Sequence, residues 1–534
     1  LQDYTKVDVI KGSSISEFSK KLKGYETVII SFHTSLGAYA NYKIDDDELL
    51  ILQEIAKNHK VILDVFASPY SLLKIKSFEN IDGIIISYQN TPLSQDVSAQ
   101  MIFGALDIKG VLPVNIKDDF KAGFGLQLAS IDRLGYSIPE DVGMDIKKLQ
   151  RIDSVAELVI DSAMAPGMQV LVARYGKVVY RKSYGYYTYD EKKKVDNKSI
   201  YDLASVTKIL GGLPMIIKAE EAGKFDLDSQ LGDIMPVLKE SNKDTVTVRE
   251  ALAHYAKLKP YIPYYVTMVE GKDNTPKKEY FSQTTSSKYS IKVAEDLYLR
   301  TDYLDTIYKL IAEAPQREEL EYKYSGLPFY LFKGYLETVY EEPLDQLNQK
   351  YFYGPLGAST LGYNPLNKFP KSRIVPTEND EFFRHQLLHG TVHDEGAAMM
   401  GGVSGNAGLF GTSNDVAKMM QMYLQKGYYG GESYFKPESF DKFNRRYFEE
   451  KGVRRGLGFD KPQLDQSMAT CGCVSFKSFG HSGYTGTYTF ADPETEIVYV
   501  FLSNRVYPTR ENNKLGDADI RTVVQQLIQE SIID

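Results

Sequence analysis

Ser205-Val-Thr-Lys-Ile-Leu-Gly-Gly-Leu-Pro-Met-Ile-Ile-Lys-Ala-Glu-Glu-Ala-Gly-Lys224 is the stretch on which the reading of this chain turns. Its apolar residues recur at helical spacing, so Ser205 and Lys208 fall three apart at the head of a helix and share a face. That spacing sets a primary amine beside a hydroxyl. A helix start also offers unpaired N–H groups and the positive end of the peptide dipole, which favour a developing oxyanion and lower the pKa of a nearby lysine. Ser-x-x-Lys recurs at Ser71 to Lys74, Ser433 to Lys436 and Ser439 to Lys442. None of these heads a comparable helical pattern, and their serines read as structural.

Upstream of this stretch, Met168-Gln-Val-Leu-Val-Ala-Arg174 and Lys177-Val-Val-Tyr-Arg181 flank Tyr175-Gly176, a hairpin pattern. A periodic helix precedes it near Met144 to Ile152. Downstream lies a long, mostly helical middle. Thr487 to Ala491 and Ile497 to Leu502 then read as strands either side of Asp492 to Glu496, before a closing helix near Ala518 to Ile532. Strands at both ends with helices between predict an α+β domain whose terminal segments share one antiparallel sheet.

The first residues, to about 120, have a different rhythm. Thr27 to Phe32, Lys60 to Phe66 and Asp82 to Tyr88 are short apolar runs, and Asp46 to Ala56 between the first two is amphipathic. This is the pattern of a small doubly wound α/β domain. The pattern breaks between Lys121 and Pro139, so the expected organisation is a domain over 1–125, a linker over 126–139 and a second domain over 140–534.

Composition narrows the function classes. The 534 residues are 43% hydrophobic and 25% charged, and no apolar run approaches the roughly 20 residues that cross a bilayer. A net charge of -8, with Lys and Arg dispersed, gives no footprint for a phosphate backbone, so nucleic acid is not an expected partner. Cys471 and Cys473 are two apart. They are too few for a tetrahedral zinc site and too close for an ordinary disulfide, and are expected as two unpaired thiols. Residues 1–10 show neither a basic n-region nor an apolar h-region, and the chain starts without Met, so a processed or truncated piece is expected.

Leu203-Ala-Ser-Val-Thr-Lys208 resembles the first motif of the class C β-lactamase, D-Ala-D-Ala peptidase and esterase family. Tyr324-Ser-Gly-Leu-Pro-Phe-Tyr330 resembles its Tyr-x-Asn element, and Phe479-Gly-His-Ser-Gly-Tyr-Thr-Gly486 its Lys-Thr-Gly or His-x-Gly strand. Thr245 to His254, Gly354-Pro-Leu-Gly357 and Gly401 to Phe410 are supporting matches. The resemblance implies an antiparallel sheet flanked by helices plus an all-helical subdomain, and catalysis without metal or organic cofactor. It makes Ser205 the nucleophile, with Lys208 and Tyr324 shuttling its proton. His481 takes the place of the family's lysine. The Ser205 and Tyr484 amides would form the oxyanion hole, and Ser325, Gly326, Ser482 and Gly483 would meet a small-molecule or peptide substrate, Gly483 by letting its backbone lie close.

Two departures bear on substrate. Gly326 stands where the family has Asn or Asp, and His481 where it has a permanent cation. Both weaken the case for an efficient β-lactamase and favour an esterase or a His-x-Gly peptidase acting on cell-envelope peptides or related esters and amides. Gly326 also keeps open a module that binds, and acylates at most once. Residues 1–125, notably Ile102 to Asn115 after Pro69 to Leu73, resemble the α/β-sandwich domain of family-3 glycoside hydrolases. That resemblance implies a glycosidase barrel upstream and, by analogy, a place in the cell envelope. No carboxylate pair recommends glycoside cleavage by this chain itself.

Overall fold

The hairpin at Tyr175-Gly176 forms the middle of a six-stranded sheet. In the computed structural model, which describes residues 1–34, 44–465 and 469–533, both turn residues have positive φ, 51° and 71°, as a type I′ turn requires. The chain divides into two units, Leu1–Gly135 and Tyr136–Asp534, and the division lies within the stretch read as linker.

In the first unit, β1 (Thr27–His33), β2 (Lys60–Phe66) and β3 (Gly83–Ile86) pair in parallel, in that order. Helix α1 (Asp46–Ala56) joins β1 to β2 and starts at a capping box made by Asp45 and Glu48. Its Leu49, Leu52 and Ile55 enter a core with Val61, Leu63 and Val65 of β2. Helix α2 (Pro92–Ile102), capped by Thr91, follows β3.

The second unit is built on the order β7-β8-β9-β5-β6-β4, namely Phe479–Ser482, Tyr488–Asp492, Ile497–Ser503, Gly167–Arg174, Lys177–Gly185 and Gly135–Tyr136. The last strand of the chain, β9, pairs antiparallel with β5, the first long strand of the unit, from Ile497↔Arg174 to Ser503↔Met168. Every residue of β5 and β9 is buried, because helices cover both faces. Helices α3 (Arg151–Asp161) and α7 (Ile520–Glu530) bring Ile152, Ala156, Val524 and Ile528 against Val170, Val172, Tyr499 and Phe501. Helix α6 (Ser413–Leu424) lies against β5, β8 and β9. Burial on both sides explains why these strands read as continuous apolar runs.

Three expectations need correction. The helix expected near Met144 to Ile152 is two, Ile146–Leu149 and α3, the first capped by the Asp145 side chain. The middle is not all helical: Phe281–Ser282, Leu297–Leu299 and Ile291–Ala294 form a small antiparallel sheet, and Val269–Glu270 pairs with Thr275–Pro276. These strands are two to four residues long, below the length at which alternation is visible. Cys471 and Cys473 are joined by a disulfide, with Cα atoms 5.2 Å apart. Gly472 between them takes φ 69°, a left-handed bend that brings the two sulfurs together.

Candidate active site

Ser205 lies in a 3₁₀ turn, Ala204–Val206, and not on the first turn of an α-helix. A π-helical turn, Lys208–Gly212, follows, and the regular helix α4 (Leu213–Glu221) begins only after it. Packing is the cause. A Cβ on Gly211 would overlap the Tyr363 hydroxyl, and one on Gly212 would sit 2.8 Å from the Gly405 carbonyl. Ala204 has φ +45°, a left-handed conformation that costs a non-glycine residue roughly 1–3 kcal/mol. Such strain persists only where the surroundings impose it.

The turn still sets the amine against the hydroxyl. Lys208 Nζ lies 3.0 Å from Ser205 Oγ and donates to the Asn406 carbonyl at 3.1 Å. Tyr324 comes from the extended stretch before α5 (Leu327–Tyr340), and its phenol donates to the same Oγ at 3.0 Å. The lysine is 2% exposed. Its Nζ is 5.1 Å from the centre of the Tyr324 ring and 5.7 Å from that of Phe329. Ser205 Oγ therefore has two proton-transfer partners, the buried Lys208 and Tyr324, which lines the cleft.

His481, on β7, has both ring nitrogens occupied. Nδ1 faces the Ser482 carbonyl at 2.7 Å, an acceptor, so Nδ1 carries the proton and Nε2 accepts from Arg455 Nη1 at 3.1 Å. Burial, followed by the charges of Arg455 and Lys208, drives its pKa well below the ordinary histidine value. His481 is thus neutral and lines the same cleft as Ser205, held in place by Arg455 and the Ser482 carbonyl. The cation missing from β7 is supplied by Arg455, whose guanidinium lies 5.1 Å from the Tyr324 ring centre. Arg455 also donates to the Tyr322 hydroxyl at 3.2 Å and pairs with Asp460 at 3.2 Å.

Ser205, Ser482, Gly483 and Tyr484 line a cleft of about 500 Å³. Among the described residues no acceptor meets the Ser205 or Tyr484 amide, so both are available to an oxyanion. Glycine at 483 is required from below, since a Cβ there would overlap Thr487 Oγ1 and sit 2.7 Å from the Leu203 carbonyl. The fold by itself therefore requires glycine at this position in the cleft wall. Ser325 is also corrected. It is 1% exposed and its hydroxyl donates inward to the Lys259 carbonyl at 2.6 Å, so it does not reach the cleft. Beside Gly326, the position of an absent Cβ lies 3.8 Å from Asn406 Nδ2.

The far end of the cleft is lined by Arg505 and Arg521. Arg505 donates through Nε to the Tyr484 carbonyl at 2.9 Å, and its guanidinium stacks 4.7 Å from the Tyr484 ring centre. Arg521, at the start of α7, has its pKa lowered by burial and by the like charge of Arg505. Among the described residues neither arginine has an ion-pair partner. His254 is buried behind Tyr324 with ring centres 4.9 Å apart, and its Nδ1 accepts from the Ser325 amide at 3.2 Å. Among the described residues no group of three or more His, Cys, Asp or Glu could hold a metal ion. Sequence reasoning passed over Arg455, Asp460, Arg505 and Arg521. The adjacent pair Arg454-Arg455 shortly before Asp460 was the one local signal.

Residues 156–523 match the model of the family described as Beta-lactamase. A protein of Salmonella gallinarum named "Putative D-alanyl-D-alanine carboxypeptidase" is 30% identical over 405 residues, which cover 71% of this chain and 87% of that protein. A namesake from Salmonella agona is 30% identical over 416 residues with the same coverage, 71% and 87%. Among solved structures, EstCE1, described as a hydrolase with promiscuous acyltransferase activity, shares 21% identity at TM-score 0.52, covering 72% of this chain and 99% of that one. The octameric penicillin-binding protein homologue of Pyrococcus abyssi shares 19% at TM-score 0.50, covering 73% and 79%. These last two likenesses speak to the fold alone.

Proposed function

The chain belongs to the Beta-lactamase family of serine hydrolases, and from that premise we propose that it works through an acyl-enzyme on Ser205. One observation carries the proposal: Lys208 Nζ and Tyr324 OH each reach Ser205 Oγ at 3.0 Å. Whichever of the two has lost its own proton takes that of Ser205, and Oγ attacks the substrate carbonyl. The oxygen of the tetrahedral intermediate is held by the Ser205 and Tyr484 amides, where losing one donor costs about 10²–10³ in rate. Tyr324 returns the proton to the leaving group as the C–N or C–O bond breaks. Water then follows the same route in reverse and releases the acid.

The substrate class we propose is a cell-envelope peptide or a related ester or amide with a negative charge near the scissile bond. Arg505 and Arg521, which line the cleft and make no ion pair among the described residues, support this, with Asp517 beside them as the one acidic neighbour from the same stretch of chain that also lines it. Gly326 favours a second reading, a module that acylates without turnover, because no side-chain amide is presented there. For the first unit we propose the glycosidase-associated sandwich, supported by its parallel β1-β2-β3 order. An upstream barrel is the corresponding test in the complete reading frame.

Intact-mass spectrometry after a fluorophosphonate and, separately, a penicillin decides between turnover and binding. One adduct per chain in wild type and none in Ser205→Ala is expected, with steady release of product from a nitrophenyl ester. No adduct in the folded wild type defeats the hydrolase reading, and an adduct without turnover leaves the binding module.

A further inference from the structure

The strained residue before Ser205 raises the question of what holds it. Asp202, 3% exposed, is the answer. Its Oδ1 accepts the Ala204 amide at 2.8 Å and its Oδ2 the His393 amide at 2.7 Å. Its own carbonyl accepts the Thr485 hydroxyl at 2.9 Å, and the next carbonyl, Leu203, accepts that of Thr487 at 2.9 Å. Three segments therefore meet on this one residue: its carboxylate ties the turn that carries Ser205 to the loop that carries His393, and its main-chain carbonyl ties in the segment that carries Tyr484. The His393 ring in turn lies 5.6 Å from the Tyr484 ring centre. Both amides offered to the oxyanion belong to segments tied to Asp202.

We propose that Asp202 is the positioning residue of the oxyanion hole, holding Ala204 left-handed so that the Ser205 amide converges with that of Tyr484. The inference rests on the reading of Ser205 as nucleophile. A carboxylate suits the task because it accepts two N–H groups at once, whereas an isosteric carboxamide places an NH₂ against one of them. The Ala204 conformation is one that glycine adopts freely. Substitution there should relieve the need for the carboxylate.

The test compares wild type, Asp202→Asn, and Asp202→Asn with Ala204→Gly, all as the full chain, by the second-order rate of fluorophosphonate labelling and by kcat and KM on a nitrophenyl ester. Asp202→Asn is expected to lower labelling and kcat by about 10²-fold, the order of losing one oxyanion donor, with KM little changed. Ala204→Gly in that background is expected to recover at least about tenfold of the loss, a share of that same donor effect. Thermal melting of all three proteins separates a general change in stability, to which glycine at this positive-φ position itself contributes, from a change confined to labelling and kcat. Labelling of Asp202→Asn at the wild-type rate overturns the proposal, as does a folded double variant as slow as the single one. Should Asp202→Asn not fold, Thr485→Val removes only the hydroxyl on the Asp202 carbonyl. It is then expected to slow labelling, and wild-type labelling by that variant overturns the proposal. Absence of labelling in wild type marks failure of the hydrolase reading instead.

Discussion

Arg455 shows how a charge lost from one position is restored from another. The guanidinium reaches His481, Tyr322, Tyr324 and Asp460 at once, and so keeps His481 neutral while placing positive charge against the Tyr324 ring. Arg455→Met, similar in bulk and uncharged, is expected to lower kcat/KM on a nitrophenyl ester by about 10²-fold, an effect of the size of one lost electrostatic contact in the site. It is also expected to destabilise the unit, because Asp460 loses one of its two buried partners. The pH profile separates these effects. In wild type His481 should give no step near pH 6 to 7. In the variant burial still depresses its pKa but one of the three cations that do so is gone, so its titration moves up toward the ordinary value of about 6.5 and an inflection enters from the acid side. A variant profile identical to wild type would remove Arg455 from the chemistry. At this scale Ser205, Lys208 and Tyr324 were legible because each sits in a short motif, and the structure brings all three together. Arg455, Arg505 and Asp202 were not. Apart from Asp460 near Arg455 and Ala204 near Asp202, their partners lie tens to hundreds of residues away in the chain, and no local pattern encodes such meetings.

Among elements, α7 joins stability to the site. One face supplies Val524 and Ile528 to the core under β5 and β9, and its first turn delivers Arg521 to the cleft. Ile528→Ala, at a fully buried position, is expected to cost about 2–5 kcal/mol, read as a lower urea midpoint with unchanged slope. Retention of the wild-type midpoint would show that the helix is held by something other than this face. The long strands and α7 were legible because burial on both faces leaves a continuous apolar run and burial on one face of a helix writes a 3.6-residue period. The turn at Ser205 was not, since the pressure that bends it comes from Tyr363, Gly405 and Phe329, which the sequence of the turn does not contain. The disulfide escaped for a related reason. Spacing alone describes an extended chain, whereas Gly472 bends it.

For the second unit as a whole, buried carboxylates set an acid limit. Glu378 is buried, which alone would raise its pKa, but His393 and Arg510 hold it down at about 2. Asp380 is held at about 2 against the same burial by Arg384 and the Phe383 and Phe382 amides. Because both folded values lie below the unfolded ones, their stabilisation is fully present above about pH 5, in the range where the unfolded carboxylates are ionised, and is lost as pH falls toward 2. Urea midpoints are expected to hold from pH 7 to about 5 and to fall below that, with a shallower fall in Glu378→Gln. A midpoint unchanged down to pH 3 would contradict this. The change from parallel to antiparallel patterning marks two parts, and the division of the structure between Gly135 and Tyr136 falls in the stretch between them; among the described residues no helix is long and apolar enough to cross a membrane. The two cleft arginines that make no ion pair among the described residues come together only where the closing helix meets the segment that follows β9.

The pairing of β5 with β9 is reinforced where the second unit begins and ends: Met144 bridges to Ile532, the Asp145 amide donates to the Ser531 carbonyl, and the Ile533 amide to that of Gly143. Entry and exit of the unit thus lie side by side, away from the order in which the rest is threaded. A body of this kind can be rewired without being redesigned. A short bridge from 533 back to 143, which it meets, with new ends opened in an exposed loop should give a circular permutant that still closes around Ser205. The same adjacency lets the unit be appended to, or spliced within, an unrelated host as a self-contained cassette.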